Sequence, residues 1–221
     1  MNTKILIIRH AESEKNLKDI HGGKGECLSI LGVKQANDLA KKLMKLGVNS
    51  RNSVITYPEN VQTKETAEII MKQLGVTDSN VSEFVPLNLG IINGLSNYEV
   101  EKKYPYIFEL LFKWRNKEIE ICDLNIPQME PPFEFYNRGL NVLNDITFGK
   151  INIFIATNSL YILLINILFG NKCIKGGGYI HFDIPNCGIS MFNVDVSRKV
   201  ILDKEITDVH DVILYNENKL K

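Results

Sequence analysis

Residues Ile5–Ile8 form an unbroken apolar run that stops at Arg9-His10. A run that short and apolar at every position suits a strand buried on both faces of a parallel sheet. Such a strand needs helices on both sides, and the rest of the chain supplies them in alternation. Leu31–Leu46 carries Leu31, Ala36, Leu39, Ala40 and Leu43 at helical spacing. Val54–Thr56 reads as a second strand, and Thr63–Leu74 as a helix burying Ala67, Ile69, Ile70 and Leu74. Val85–Leu89 suits either a strand or an extended loop. Tyr98–Trp114 is helical except that Pro105 must bend or split it. Asn116–Pro132, with its three Pro, reads as an irregular excursion over the sheet, and Phe133–Ile146 returns to helical periodicity. Ile151–Ala156 is the clearest strand, Leu160–Leu168 is the helix after it, and Ile189–Val194 with Lys199–Leu202 forms a closing strand pair. This order predicts an α/β fold. Ligands of open α/β sheets bind beyond the carboxyl ends of strands. That rule points to Arg9-His10, Tyr57-Pro58 and Thr157-Asn158.

The 221 residues suffice for one domain, or for one domain with an insertion. The 26 basic and 26 acidic side chains cancel, which argues against an electrostatic nucleic-acid binder. The start of the chain lacks the long apolar stretch of a secretory signal, and Leu160–Phe169 is too short for a bilayer span, so a cytoplasmic location is expected. Four scattered Cys without a CxxC pair read as free thiols, and no metal or cofactor is expected. Within the balanced charge lie 21 Lys but only five Arg and four His, so phosphate chemistry has few side chains to draw on.

At the first junction, Arg9-His10-Ala11-Glu12-Ser13 places a guanidinium beside an imidazole. Histidine can attack phosphorus, and a planar guanidinium holds two phosphoryl oxygens at once. The pair alone equally suits a surface Arg-His capping a strand. The wider pattern adds weight. Arg9-His10-Ala11-Glu12-Ser13, with Asn16, resembles the Arg-His-Gly signature of the histidine phosphatase superfamily, the phosphoglycerate mutase-like proteins. Leu28-Ser29-Ile30-Leu31-Gly32-Val33-Lys34-Gln35-Ala36 resembles that family's Leu-Thr-x-x-Gly-x-x-Gln-Ala helix start, and Pro58 through Glu65-Thr66-Ala67 its Ser-Pro-x-x-Arg-x-x-x-Thr-Ala segment. Gly90-Ile91-Ile92-Asn93-Gly94-Leu95 with Tyr104-Pro105, Ile153–Gly170, Pro185-Asn186-Cys187-Gly188-Ile189-Ser190 and Ile206-Thr207-Asp208-Val209-His210 follow in family order.

The resemblance implies a three-layer α/β sandwich with a mostly parallel central sheet and helices on both faces. It implies one domain over residues 1–221, with a cap or insertion around residues 96–132. His10 and Arg9 match the catalytic pair, and Asn16 matches a polar residue of the phosphate pocket. The family's second Arg is absent. Counting back from Thr66 its position holds Gln62, counting forward from Pro58 it holds Val61, and Lys64 is the nearby cation. The second His is replaced by Asn158, which can donate a hydrogen bond but carries no charge and also suits a helix N-cap. Losing such a donor costs roughly 2–4 kcal/mol of transition-state stabilisation. The acid's position holds Pro86; Glu83 and Asp78 are out of register, and Glu83 reads as a solvated strand-edge residue. Gly23 and Lys24, in the run His21–Gly25, fall in the family's substrate loop, although a plain surface turn explains them as well. His181 has no spacing that compels it toward the pocket.

Only Arg9 and His10 of the scarce Arg and His therefore fall on pocket positions, which suggests a degenerate active site. Two readings stay open. One is a divergent phosphomonoesterase, a hydrolase working through a phosphohistidine at His10, with mutase activity less favoured. The other is a pseudoenzyme that binds a phosphorylated or carboxylated ligand or a protein partner. Either implies a small phosphorylated molecule or phosphate-like anion as partner, no nucleic acid and no membrane, and leaves a homodimer open.

Overall fold

Side-chain alternation along the first strand, β1 (Thr3–Arg9), sets the layers. Ile5 and Ile7 enter one buried apolar cluster, while Leu6 and Ile8 enter another on the opposite face. The computed structural model describes residues 3–144, 146–169, 179–194 and 200–205, the last of these as backbone. The remaining elements are α1 (Glu14–Leu17), α2 (Ile30–Lys45), β2 (Ser53–Pro58), α3 (Val61–Leu74), β3 (Ser79–Ser82), α4 (Asn97–Lys103), α5 (Pro105–Arg115), α6 (Pro132–Asn144), β4 (Ile151–Ala156), α7 (Asn158–Leu168), β5 (Ile189–Val194) and β6 (Val200–Glu205).

The strands form one sheet in the order β3-β2-β4-β1-β5-β6. The first four are parallel, and β5 and β6 close the edge antiparallel. β4 repeats the alternation of β1: Phe154 and Ala156 face the α7 side, Ile153 and Ile155 the α2–α3 side. The result is a mostly parallel three-layer α/β sandwich, the α/β fold that the order of elements predicted in the layered form that the resemblance implied. Among the described residues no helix is long and apolar enough to cross a membrane.

Local chemistry accounts for the element ends. Ser29 caps α2 by accepting from the Gly32 N–H at 2.9 Å. Pro105 splits the 98–114 helix in two: Tyr104 ends α4, and Pro105 starts α5, where its missing N–H costs nothing. Val85–Leu89 is a loop, not a strand, touching the sheet-like pairing pattern only through the Leu89–Met129 bridge. The strand in that region is the earlier β3, an exposed edge with no apolar pattern to announce it. Residues 96–132 place Val100, Ile107, Leu111, Trp114, Ile121 and Leu124 in the same cluster as β1 and α7. The closing motif at residues 206–210, with His210, and the Gly176–Gly178 run lie outside the described residues.

Candidate active site

β1 and β4 are parallel neighbours at the centre of the sheet, and Arg9 lies in register with Ala156. The chain therefore leaves both strands at the same end, bringing Arg9-His10 beside Thr157-Asn158. The ladder continues through these residues: the His10 N–H donates to Ala156 O, and the Arg9 N–H to Gly188 O, each at 3.0 Å.

The loop after β1 is fastened by the motif residues named above. The Ala11 N–H donates to Thr66 Oγ1 at 3.1 Å, and that hydroxyl donates to Gln62 O at 2.7 Å. The Glu12 N–H donates to Gln35 Oε1 at 2.9 Å, and Ser29 Oγ donates to the Glu12 carboxylate at 2.7 Å. A Cβ at Gly32 would lie 1.9 Å from Glu12 O, so only glycine lets α2 come this close. α2 and α3 are thus tied to the same few residues through Ser29, Gly32, Gln35 and Thr66.

His10 is 2% exposed. Its Nδ1 lies 2.6 Å from Ala11 O, and a carbonyl only accepts, so Nδ1 carries the proton. That leaves Nε2 with a free lone pair. Burial first, then the Arg9 and Lys15 charges, push the imidazole pKa down to about 3, so the ring is neutral near pH 7. Asn16 Oδ1 is engaged as an acceptor by Ser13 N and Oγ, both at 3.0 Å, which leaves its Nδ2 to donate. Asn186 Nδ2 donates to His10 O at 3.0 Å and holds the loop from the other side.

These groups line a cavity of about 380 Å³. Of the residues expected from sequence, Arg9, His10, Asn16, Gln62 and Asn158 line it. Gln62 lines it where Val61 does not, so counting back from Thr66 gives the register of this loop. Lys64 is exposed on α3 outside the lining, because the helix turns it away from buried Thr63 and Thr66. Gly23 and Lys24 are likewise exposed and outside it, and Gly22 lines the cavity instead. The N-cap of α7 is Thr157, and Asn158 is the first helical residue. Glu83 lines a different hollow, and Asp78 pairs with Lys150.

The expectation of one Arg and one His is corrected by the lining. Arg115, His21, His181 and Lys15 all line the same cavity, as do Asp19 and Asp183. His21 belongs to the run His21–Gly25 and His181 could be named from the sequence, but no motif announced Arg115 or Asp183, whose placement depends on how α5 and the 179–184 segment pack over the strand ends. Burial is the main cause that lowers the pKa of His21, with the Arg115 charge adding to it. His21 Nε2 donates to Asn97 Oδ1 at 2.9 Å. Burial also pushes His181 down to about 4, its ring set edge-on to Trp114 at 4.9 Å.

Arg9 donates through Nη1 to Ile184 O, and burial lowers its pKa while the Asp183 charge raises it. Among the described residues, six buried side-chain polar atoms have no hydrogen-bond partner. Five belong to this lining: Arg9 Nε, Gln62 Oε1, Trp114 Nε1, Thr157 Oγ1 and Asn158 Oδ1. Each costs about 1–3 kcal/mol when left unpaired, so the lining offers several polar groups that a bound ligand or water would satisfy. The first turn of α7 adds N–H groups suited to an anion.

Residues 5–207 match the model of the histidine phosphatase superfamily (branch 1). Two curated relatives, both 2,3-bisphosphoglycerate-dependent phosphoglycerate mutases, share part of the chain. That of Nitrobacter hamburgensis is 31% identical over 107 residues, 45% of this chain and 49% of the relative. That of Bartonella tribocorum is 32% identical over 109 residues, 47% and 52% respectively. The chain thus spans about half the length of the curated relatives it matches. Solved structures share the fold over nearly the whole chain. A mycobacterial hydrolase superposes with a TM-score of 0.74 at 17% identity, covering 92% of this chain and 98% of its own. A mycobacterial glucosyl-3-phosphoglycerate phosphatase, solved with VO3, gives 0.71 at 18% identity, covering 90% and 96%. The alpha-ribazole phosphatase of Shigella flexneri gives 0.72 at 16% identity, covering 91% and 95%.

Proposed function

This chain belongs to branch 1 of the histidine phosphatase superfamily, and from that premise we propose that it is a phosphomonoesterase whose nucleophile is His10. The observation that carries this reading is the state of His10: buried, neutral, its proton fixed on Nδ1 by Ala11 O, with Nε2 unprotonated beside the Arg9 guanidinium. A pocket meant only to hold an anion would gain from a charged imidazole, whereas a nucleophile must be neutral.

In the first step Nε2 attacks phosphorus, the bond from phosphorus to the leaving oxygen breaks, and a phosphohistidine forms. Arg9, Asn16 Nδ2, Asn158, Gln62 and the N–H groups of the first turn of α7 hold the phosphoryl oxygens as charge gathers on them. Arg115 and Lys15 add positive charge from the walls. Water then attacks phosphorus and releases phosphate. Hydrolysis suits this site better than mutase transfer, because a mutase moves protons at two substrate hydroxyls and Pro86 supplies none.

One observation favours a second reading, a protein that only binds a phosphorylated or carboxylated ligand. The 83–89 loop presents Pro86, Leu87 and Leu89 to the cavity and keeps Glu83 out of it. An aryl phosphate, whose leaving group departs without a donated proton, separates the two. Turnover that falls about 10³-fold or more in His10→Ala supports the phosphatase. No turnover by the wild-type protein, with vanadate binding that Arg9→Ala abolishes, supports the binding protein.

A further inference from the structure

Residues 179–184 run along one wall of the cavity as an extended strip with two faces. His181 and Asp183 line the cavity, while Phe182 and Ile184 are buried in the apolar cluster between α7 and the sheet. The strip is fixed at three points. Tyr179 OH donates to Ser159 O at 3.2 Å. The buried Asn166 amide of α7 pairs with Ile180 in both directions, Nδ2 donating to its carbonyl and Oδ1 accepting from its N–H, each at 3.0 Å. At the far end Ile184 O accepts from the Arg9 guanidinium. Asp183 therefore stands one residue from a direct tether to the neighbour of His10, on a wall tied down at both ends.

Among the described residues, Asp183 and Asp19 are the only carboxylates in the lining. They differ in surroundings. Asp183 acts on Arg9, Arg115 and His181, so its charge is felt at the floor and at the wall. Asp19 acts on Arg115 and His21 and not on Arg9. Asp183 is exposed to solvent, where a water can reach it, and it forms no contact-distance ion pair among the described residues that would block its oxygens. Its exposed carboxylate can accept a hydrogen bond from a water that enters the cavity.

We propose that Asp183 takes the proton from the water that hydrolyses the phosphohistidine. The assignment rests on the phosphatase reading given above. In this step the water oxygen bonds to phosphorus as the bond from phosphorus to Nε2 of His10 breaks. The bonding pair returns to Nε2, the water proton passes to the Asp183 carboxylate, and inorganic phosphate leaves. The carboxylic acid then gives its proton to solvent. Departure of the leaving group, the earlier step, makes no use of Asp183.

Rapid-quench kinetics of Asp183→Asn with an aryl phosphate tests this. The first turnover should release the aryl alcohol at the wild-type rate. The steady state should then slow about 10²-fold, the usual size of a general-base contribution, with acid-labile phosphohistidine accumulating on the enzyme. Asp183→Glu should restore part of the steady-state rate. If wild type turns over and Asp183→Asn does so within about twofold without accumulation, the proton acceptor is misassigned. The same follows if Asp19→Asn or His181→Gln traps the phosphoenzyme instead. If wild type itself neither turns over nor forms a phosphoenzyme, the phosphatase reading fails first and the assignment goes with it.

Discussion

The floor and the wall of the cavity are built by different means. The floor consists of Arg9, His10 and Asn158 at the ends of β1 and β4, whose relative positions follow from parallel pairing with Arg9 opposite Ala156. The wall consists of Trp114 and Arg115 from α5 and of His181 and Asp183 from the 179–184 strip, brought in by packing on the apolar cluster. The floor is poor in charge for a phosphate site, and the wall supplies what the floor lacks. Counted together, floor and wall bring two Arg, three His and a Lys to one cavity.

If the floor holds the reacting phosphoryl group and the wall steadies the rest of the ligand, their variants should differ in kind. Arg9→Ala should cost about 10²–10³ in kcat on an aryl phosphate, since it removes a donor that meets charge developing in the transition state. Arg115→Ala should raise KM about tenfold and leave kcat within a few fold, the mark of binding shared by ground and transition states. Steady-state kinetics on both variants checks this, and an Arg115→Ala defect confined to kcat would erase the distinction.

A smaller effect concerns the floor alone. The pKa of His10 is depressed to about 3 in the folded chain, against about 6.5 when unfolded. The unfolded state therefore binds more protons between those values, and stability must fall as pH drops from 6.5 toward 3. The slope is roughly 1 kcal/mol per pH unit from this residue. Denaturant titrations at stepped pH should show a shallower slope in His10→Gln than in wild type; equal slopes would mean the ring is not held neutral. The smallest effect is expected at Lys64, exposed on α3 outside the lining. Lys64→Ala should leave kcat/KM within about twofold, as surface substitutions usually do.

The same contrast explains what the chain discloses before folding. The apolar runs of β1, β4 and β5 and the helical spacing of α2 and α3 mark the core, because burial on both faces leaves no room for polar residues. β3 does not, because Ser79–Ser82 is an exposed edge whose pairing with β2 follows from the position of α3. At the site, His10 and Asn158 are legible because strand ends fix them, and Asn16 because it follows in the same motif as Arg9-His10. Gln62 is legible only once α3 is seen to begin at Val61, which sets the register of the altered loop. Arg115 and Asp183 carry no local signal: one ends a helix that Pro105 starts, and the other follows from a strip whose register is set by Asn166, about two turns into α7 from its cavity end. His181 could be named in the sequence, but only the alternation of the strip turns it inward.

Trapping the intermediate identifies the nucleophile. Wild-type protein mixed with an aryl phosphate, quenched under denaturing alkaline conditions and digested, should yield a phosphorylated peptide carrying His10, stable in alkali and lost in acid. A phosphoryl group on His21 or His181 instead, or an acid-stable phosphoenzyme, would show that His10 is not the nucleophile.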